Sequence, residues 1–141
     1  MLSSDQIISI ETRDISAMTT QQINALTTDQ LAVLTTGSAG QIAALTTGQM
    51  VNLTASKLSI LTSVQIGSIE PRDLVAMTTD QIQSLTTDNI PGITTSQRSS
   101  FSAEDLSVLS TEQLNALSVD VKSALTNSQK SLLNTEQLSV L

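Results

Sequence analysis

The chain has 141 residues, of which 39% are hydrophobic and only 1% aromatic, and its formal net charge is −7 at pH 7. So few aromatic side chains make a poor core for an ordinary globular domain. The acidity, without any basic stripe, argues against nucleic-acid binding. The sequence contains no His, Cys, Trp or Tyr, which removes the most common general base, the thiol nucleophile and the usual zinc and haem ligands. We therefore expect no catalytic, cofactor-binding or metal site.

An eight-residue repeat begins at Leu2 and continues to the end of the chain. Seventeen blocks of eight hold one register, interrupted by three inserted residues near Gly37. The first position is apolar in all seventeen blocks, and the second is Ser, Thr or Asn in fifteen. The fifth is Gln in eleven, and the sixth is apolar in fourteen. A fixed internal period predicts a repeat architecture.

Each block carries the signature of a helix start. Ser or Thr followed three residues later by Gln is the capping box, in which each side chain bonds the backbone N–H of the other residue. The apolar residues just before the cap and four after it form a hydrophobic staple. The predicted cap pairs are Thr19 with Gln22, Thr27 with Gln30, Ser38 with Gln41, Thr46 with Gln49, Thr78 with Gln81, and Ser110 with Gln113.

The period of eight predicts many short helices and not one long helix. At about 100° per residue, an apolar stripe on one continuous helix would drift about 80° per block. Helices of one and a half turns are unstable alone, so neighbouring blocks must pack together. We predict an all-α solenoid of about seventeen short helices, one per repeat, as a single unit over 1–141. Its predicted core includes Leu26, Leu31, Leu45, Met77, Ile82, Leu85, Leu109 and Leu114.

Three other interpretations of the pattern remain open from the sequence. A Ser/Thr-rich chain can be disordered, although a random polar tract would not keep an apolar position over seventeen periods. A β-solenoid would suit the Thr and Ile content, but the apolar spacing of five and three lacks strand alternation. Regular Thr pairs could match an ice lattice, but capping already accounts for the first Thr of each pair.

The blocks vary along the chain. Residues 2–36 follow the pattern closely, and the insertion at 37–40, with Gly37 and Gly40, predicts a kink. Residues 45–90 return to the pattern. Pro91-Gly92 should end a helix early, and Arg98 stands at an expected core position, so residues 90–100 are a predicted weak point. Lys122 and Lys130 replace apolar residues at the sixth position farther on, where we expect poorer packing.

A longer repeat overlies the octapeptides. Ile10-Glu11-Thr12-Arg13-Asp14-Ile15 is echoed 59 residues later by Ile69-Glu70-Pro71-Arg72-Asp73-Leu74. The offset equals seven blocks plus the insertion, which predicts a duplicated seven-block unit and could correspond to one superhelical turn. The arginines stand beside acidic residues, and we interpret them as local surface ion pairs of small energetic value.

The phrase Leu-Thr-Thr-x-Gln-Ile, as at Leu45–Met50 and Met77–Ile82, resembles octapeptide arrays in very large bacterial exoproteins, which are often labelled as adhesins or haem-utilisation proteins. Ile69–Asp73 is similar to a variant block of those arrays. The resemblance covers essentially the whole chain and implies a secreted or surface-attached repeat region. It does not imply haem binding here, because the chain has no His, Tyr or Cys.

The leading functional expectation is a non-enzymatic spacer, stalk or adhesive array within a large bacterial secreted or surface protein. The alternative is an intracellular α-solenoid scaffold that binds a peptide or protein partner. No stretch is apolar enough to span a membrane, and no signal peptide is visible. The chain begins and ends in repeat register, so we expect a piece of a longer array. A protein or cell-surface partner, or self-association, would fit either expectation.

Overall fold

The structure is a computed structural model that describes residues 2–141, and all its regular structure is helical, with no strand in this range. The first nine α-helices are α1 (Ser4–Ile8), α2 (Thr12–Ala17), α3 (Thr20–Ala25), α4 (Thr28–Ala32), α5 (Thr47–Val51), α6 (Ala55–Leu58), α7 (Ser63–Gly67), α8 (Pro71–Val75) and α9 (Thr79–Gln83). The 3-10 helices η1 (Ile90–Gly92) and η2 (Arg98–Ser100) follow, and then α10 (Ala103–Ser107), α11 (Thr111–Ala116), α12 (Val119–Ala124), α13 (Asn127–Lys130) and α14 (Thr135–Ser139). The predicted all-α fold is confirmed, and the β-solenoid is excluded.

One octapeptide encodes one helix and one bend. In the block that begins at Leu26, Thr27 is the cap and has an extended backbone (φ −73°, ψ 167°), and α4 follows directly. The helix ends after five residues, and the N–H of Leu34 donates to the carbonyl of Leu31 at 3.2 Å. Because the next cap residue follows this tight turn directly, the chain bends after every short helix. Every block except the one with the insertion contains a short helix, which is an α-helix in fourteen blocks and a 3-10 helix in two.

The bends wind the helices into a superhelix. Each helix packs mainly on the helix three repeats farther along: α1 on α4, α5 on α8, α6 on α9, α10 on α13 and α11 on α14. Side-chain hydrogen bonds, described below, also reach the repeat four blocks earlier. One turn therefore contains between three and four repeats. The seven-block unit seen in the sequence corresponds to about two turns, so its interpretation as one turn is wrong.

Apolar residues at the first and sixth positions form one continuous core. All eight core residues named from the sequence are buried: Leu26, Leu31, Leu45, Met77, Ile82, Leu85, Leu109 and Leu114. Arg98 differs from the expected pattern, because it is only half-buried and its Nη1 donates to the carbonyl of Ala124 at 2.6 Å. The guanidinium thus has a polar partner on the following turn.

The insertion forms an outward turn without a helix of its own. Gly37 adopts φ +89°, a left-handed conformation that glycine tolerates without a steric penalty. The N–H of Gly40 donates to the carbonyl of Gly37 at 3.0 Å and closes the turn. The N–H of Gly37 donates to Oγ of Ser68 at 2.9 Å, which attaches the turn to the C-cap of α7. The repeat then resumes with α5.

Residues 90–100 form the two 3-10 helices where the sequence predicted a weak point. Pro91 has no N–H to donate to a longer helix, and the chain tightens into η1. Asn89, just before this segment, and Gln97 within it are nevertheless almost fully buried and donate to earlier turns. The altered helices therefore stay attached to the superhelix through the same contacts as their neighbours.

Candidate functional site

The candidate site of this protein is a network of polar side chains that recurs in every turn of the superhelix. Among residues 2–141 no group of three or more His, Cys, Asp and Glu side chains is placed to hold a metal ion. No helix in the same range has the length and apolar character needed to cross a membrane. A cavity of about 10 Å³ lies beside Phe101 and the stem of Arg98, lined otherwise by apolar side chains. The cap residues and their partners are the recurring polar network.

The reciprocal capping bonds are present at the start of most helices. The N–H of Thr78 donates to Oε1 of Gln81 at 2.9 Å, and the N–H of Gln81 donates to Oγ1 of Thr78 at 3.3 Å. Of the pairs named from the sequence, the structure contains this box at Thr19 with Gln22, Thr27 with Gln30, Thr46 with Gln49, Thr78 with Gln81, and Ser110 with Gln113. Each box satisfies two of the N–H groups that a helix start leaves unpaired.

The predicted pairing of Ser38 with Gln41 is wrong. The N–H of Thr35 donates to Oε1 of Gln41 at 3.1 Å, and the N–H of Gln41 donates to Oγ1 of Thr35 at 2.9 Å. Ser38 is exposed in the inserted turn. Thr35 follows Leu34, which supplies the apolar half of a staple, whereas Ser38 follows a glycine that cannot. The box is therefore kept across the insertion, with its two members six positions apart in place of three.

The same glutamines also join successive turns, which the sequence analysis missed. The Nε2 group of Gln81 donates to the carbonyls of Met50 at 3.0 Å and Leu53 at 2.8 Å, about 30 residues earlier. Equivalent bonds start from nine further side chains on the fifth position, and with Gln81 we call them the cross-turn amides: Gln30, Gln41, Gln49, Gln65, Asn89, Gln97, Gln113, Gln129 and Gln137.

The acceptors of these bonds are carbonyls near the ends of the short helices. The carbonyls in the last turn of a helix have no partner within it, and each bond from a neutral amide contributes about 1 kcal/mol. Only an amide side chain has both an oxygen to accept the cap N–H and an NH₂ to donate onwards. Glutamate forms a capping box as well as glutamine does, yet no Glu occupies the fifth position in any block. Carboxylates stand there in only three blocks, as Asp14, Asp73 and Asp105, against Gln in eleven, and this preference was the signal in the sequence.

Lys57 occupies the fifth position of its block and shows the two roles separately. Its Nζ donates to the carbonyl of Leu26 at 2.9 Å and to the carbonyl of Asn24, so the cross-turn contact is kept. An ammonium group has no acceptor for a cap N–H, and the side chain of Thr54 makes no capping bond. Partial burial lowers the pKa of Lys57. This repeat is therefore attached to the previous turn but poorly capped.

We expect Lys57→Gln to stabilise the chain by about 1 kcal/mol, the usual value of a helix cap. The amide NH₂ would still donate to the carbonyls of the earlier turn. The amide oxygen would accept a hydrogen bond from the backbone N–H of Thr54, which the ammonium group of Lys57 cannot do. Chemical denaturation of the variant and the parent chain measures the difference. Lys57→Met keeps a stem of similar length without donor or acceptor, and it should be less stable than both. Equal stability of the Gln and Met variants would contradict the cross-turn role.

The two arginine-containing blocks differ in burial. Nε of Arg13 lies 2.9 Å from Oε2 of Glu11, and both side chains are exposed. This is a surface ion pair of little energetic value. Asp73, by contrast, is 1% exposed and accepts a hydrogen bond from the hydroxyl of Thr47 at 2.5 Å. Arg72 Nε lies 3.5 Å from the same carboxylate oxygen. The interpretation as a surface ion pair is therefore wrong for the second block, where a buried carboxylate joins two turns.

Short capped helices, one per octapeptide and joined between turns by amide side chains, define a helical solenoid of octapeptide repeats. The ALTTAQ repeat family matches residues 7–40 and 66–103, which together are just over half of the chain. The chain belongs to the ALTTAQ repeat family. The two matched stretches begin 59 residues apart, the same offset as the echoed blocks. No curated protein matches the chain.

Proposed function

We propose that the chain is a non-enzymatic structural segment of a large bacterial secreted or surface protein, where it acts as a spacer or adhesive array. The observation that carries the proposal is the ladder of cross-turn amides. Because side-chain hydrogen bonds join successive turns along the chain, added repeats extend one continuous body. A spacer requires this property, since its length then depends on the number of repeats.

The hydrogen bonds that already engage the polar side chains support a role without catalysis. Thr, Ser and Gln are the most frequent polar residues of the chain, and those at the second and fifth positions, apart from Thr54, are engaged in caps or cross-turn bonds. An active site usually contains titratable groups with strongly perturbed pKa values in a cleft. Lys57, whose pKa is lowered, faces backbone carbonyls that it bonds.

The resemblance to octapeptide arrays of bacterial exoproteins supports an extracellular location. Antibody raised against the chain and applied to intact and to lysed cells of the source organism tests it. We expect equal labelling of intact and lysed cells, and loss of the signal after protease treatment of intact cells. Labelling only after lysis would overturn the surface location and favour the intracellular scaffold.

Small-angle scattering tests the spacer role. The maximum dimension of this chain would be compared with that of a tandem of two copies fused in repeat register. A continuous solenoid adds the same length for each added repeat, so the tandem should be about twice as long with an unchanged cross-section. A compact tandem with an increased cross-section would contradict the spacer.

One observation favours the scaffold alternative. An open groove of about 410 Å³ lies between the inserted turn and helices α7 and η1, and it is lined by Thr36, Gly37, Ser63, Val64, Gly67, Ser68 and Gly92. Small residues along the groove leave room for a backbone, and the exposed side chain of Val64 offers an apolar contact. The scaffold alternative requires both a cytosolic location and a peptide that protects this groove from hydrogen exchange.

A further inference from the structure

One repeat departs from the octapeptide pattern at the residues around its cap. Asn52 ends the preceding block at the eighth position, where no other block has Asn, and Lys57 takes the fifth position. Between them lies Asn52-Leu53-Thr54, the one place in the chain where Asn is followed two residues later by Ser or Thr without an intervening Pro. This pattern is the acceptor for N-glycosylation, in which a sugar is joined to the Asn side chain.

Asn52 presents its side-chain amide to solvent. The residue is exposed at the C-cap of α5, and its Nδ2 donates to the carbonyl of Gly48 at 2.8 Å. An amide nitrogen carries two hydrogens, so a sugar can replace one while the other keeps this bond. Asn24 and Asn89 differ, because Nδ2 of each donates to a carbonyl of another turn. Asn52 therefore offers an accessible nitrogen whose modification breaks no contact between turns.

Thr54 supplies the hydroxyl group that the acceptor pattern requires. The residue is exposed, and its side chain makes no capping bond, because the ammonium group of Lys57 cannot complete the box. Every other Ser or Thr at a second position accepts the N–H of its fifth-position partner. Those hydroxyls are fixed against their own helices, whereas the hydroxyl of Thr54 is free to rotate toward an incoming enzyme.

The surface beside Asn52 has room for a bulky group. Gly48 lies one helical turn earlier in α5, and a Cβ atom built on it would have no other atom within 4 Å. The backbone of the acceptor is held by its carbonyls: that of Asn52 accepts from Nδ2 of Asn24 at 2.7 Å, and that of Leu53 accepts from Nε2 of Gln81 at 2.8 Å. Neither bond uses the side chain of Asn52, so a sugar on Nδ2 leaves the superhelix intact.

We propose that Asn52 is an N-glycosylation site of the folded chain. Nδ2 attacks the anomeric carbon of a sugar that is activated as a diphosphate ester, carried by a nucleotide or by a lipid. The carbon–nitrogen bond forms as the bond from that carbon to the phosphate oxygen breaks, and the diphosphate leaves with the bonding electrons. A base of the transferase takes the proton from Nδ2. The product carries one glycan on the outer surface of this turn, where it adds hydrophilic bulk.

Peptide mapping by mass spectrometry tests the proposal on protein isolated from the source organism. Trypsin cleaves after Arg13 and Lys57, so the peptide 14–57 contains Asn52 together with Asn24 as an internal control. We expect this peptide to carry a sugar that fragmentation places on Asn52 alone. An enzyme that cleaves N-linked glycans should remove the sugar and leave Asp at position 52. A peptide 14–57 that carries no sugar in the organism would overturn the proposal.

Variants produced in the same organism separate the three-residue pattern from its structural setting. Asn52→Gln and Thr54→Ala should abolish the modification, whereas Thr54→Ser should keep it. Asn127→Gln changes an exposed Asn outside the pattern and should have no effect. Lys57→Gln also lies outside the pattern, but it would engage the hydroxyl of Thr54 in a capping box and should lower the modified fraction several-fold. Sugar retained in Asn52→Gln, or an unchanged fraction in Lys57→Gln, would contradict transfer to Asn52 of the folded chain.

Blocking export of the protein separates the two carriers of the sugar. Modification that persists inside the cell identifies a nucleotide-linked sugar, and modification found only on the exported chain identifies a lipid-linked sugar. Both results support the site. The spacer role concerns hydrogen bonds within the chain and does not depend on a glycan, so an unmodified peptide would overturn the glycosylation site and leave that role unchanged.

Discussion

Replacing Gln81 with Glu should lower the free energy of unfolding by about 3–5 kcal/mol at neutral pH, because it leaves a buried charge without a partner. The new carboxylate could still accept the N–H of Thr78, as a Glu does in a capping box. It could no longer donate to the carbonyls of Met50 and Leu53, which now accept at 3.0 and 2.8 Å. Gln81 is only 4% exposed, so water cannot replace the lost donor. Chemical denaturation measures the loss.

The pH dependence of the same variant identifies the cause. Burial beside carbonyl oxygens favours the protonated carboxyl group, so its folded-state pKa would be raised above the ordinary value of about 4.3. Between the two pKa values the folded state binds more protons than the unfolded state. The variant therefore loses stability as pH rises from about 4.3 to the raised folded-state pKa. Below about pH 4 the carboxyl group is protonated in both states and can donate, and most of the difference from the parent chain should vanish. A deficit independent of pH would contradict the donor role.

Gln22→Glu is the matched control. Gln22 forms the same box with Thr19 but lies in the first turn, where no earlier turn among the described residues offers carbonyls. We expect a change within about 0.5 kcal/mol, the range of ordinary surface substitutions.

Thr78→Ala removes only the cap and should cost about 0.5–2 kcal/mol. Gln81→Ala removes the cap partner and both cross-turn bonds, so it should cost more than Thr78→Ala. Equal losses in those two variants would mean that capping alone explains the glutamine.

The sequence predicted the local part of the network because capping depends on residues three apart. Thr78 and Gln81 can be paired on sight, and so can the apolar residues of the staple. The cross-turn partner of Gln81 is about 30 residues away, and that distance depends on how sharply the chain bends after each helix. No rule based on neighbouring residues predicts the angle of that bend. The preference for Gln over a carboxylate at the fifth position carried the information indirectly, since capping alone does not favour the amide.

The error at Ser38 has a similar origin. Ser38 and Gln41 satisfy the spacing of a capping box, so the sequence favoured them over Thr35. The structure keeps Leu34 and Thr35 together as staple and cap and moves the extra residues outwards around Gly37. Packing of Leu34, which is buried, prevailed over the local spacing of the polar residues. Insertions in a solenoid with one core layer are tolerated where they leave that layer unchanged.

Gly92→Ala should destabilise the chain by about 3 kcal/mol or more and lower the melting temperature by about 10 °C. Gly92 ends η1, which packs on α7 more extensively than any other pair of helices in the described residues. A Cβ atom on Gly92 would lie 1.7 Å from the carbonyl oxygen of Ser63, and 2.5 Å from its carbonyl carbon. These are backbone atoms, so the clash cannot be relieved by a side-chain rotation. Either α7 or η1 would have to move, and each is tied to its neighbours by core packing.

Gly48→Ala is the control, because it makes the same chemical change in a helix with free space. Gly48 lies within α5, and no atom stands within 4 Å of its added Cβ. There alanine should stabilise the chain by about 0.5–1 kcal/mol, since glycine loses more conformational freedom on folding. Opposite signs at the two positions would show that turn-to-turn distance limits the superhelix at Gly92. If Gly92→Ala melted at or above the parent temperature, the close approach of η1 to α7 would be refuted, and with it the groove that these helices share with the inserted turn.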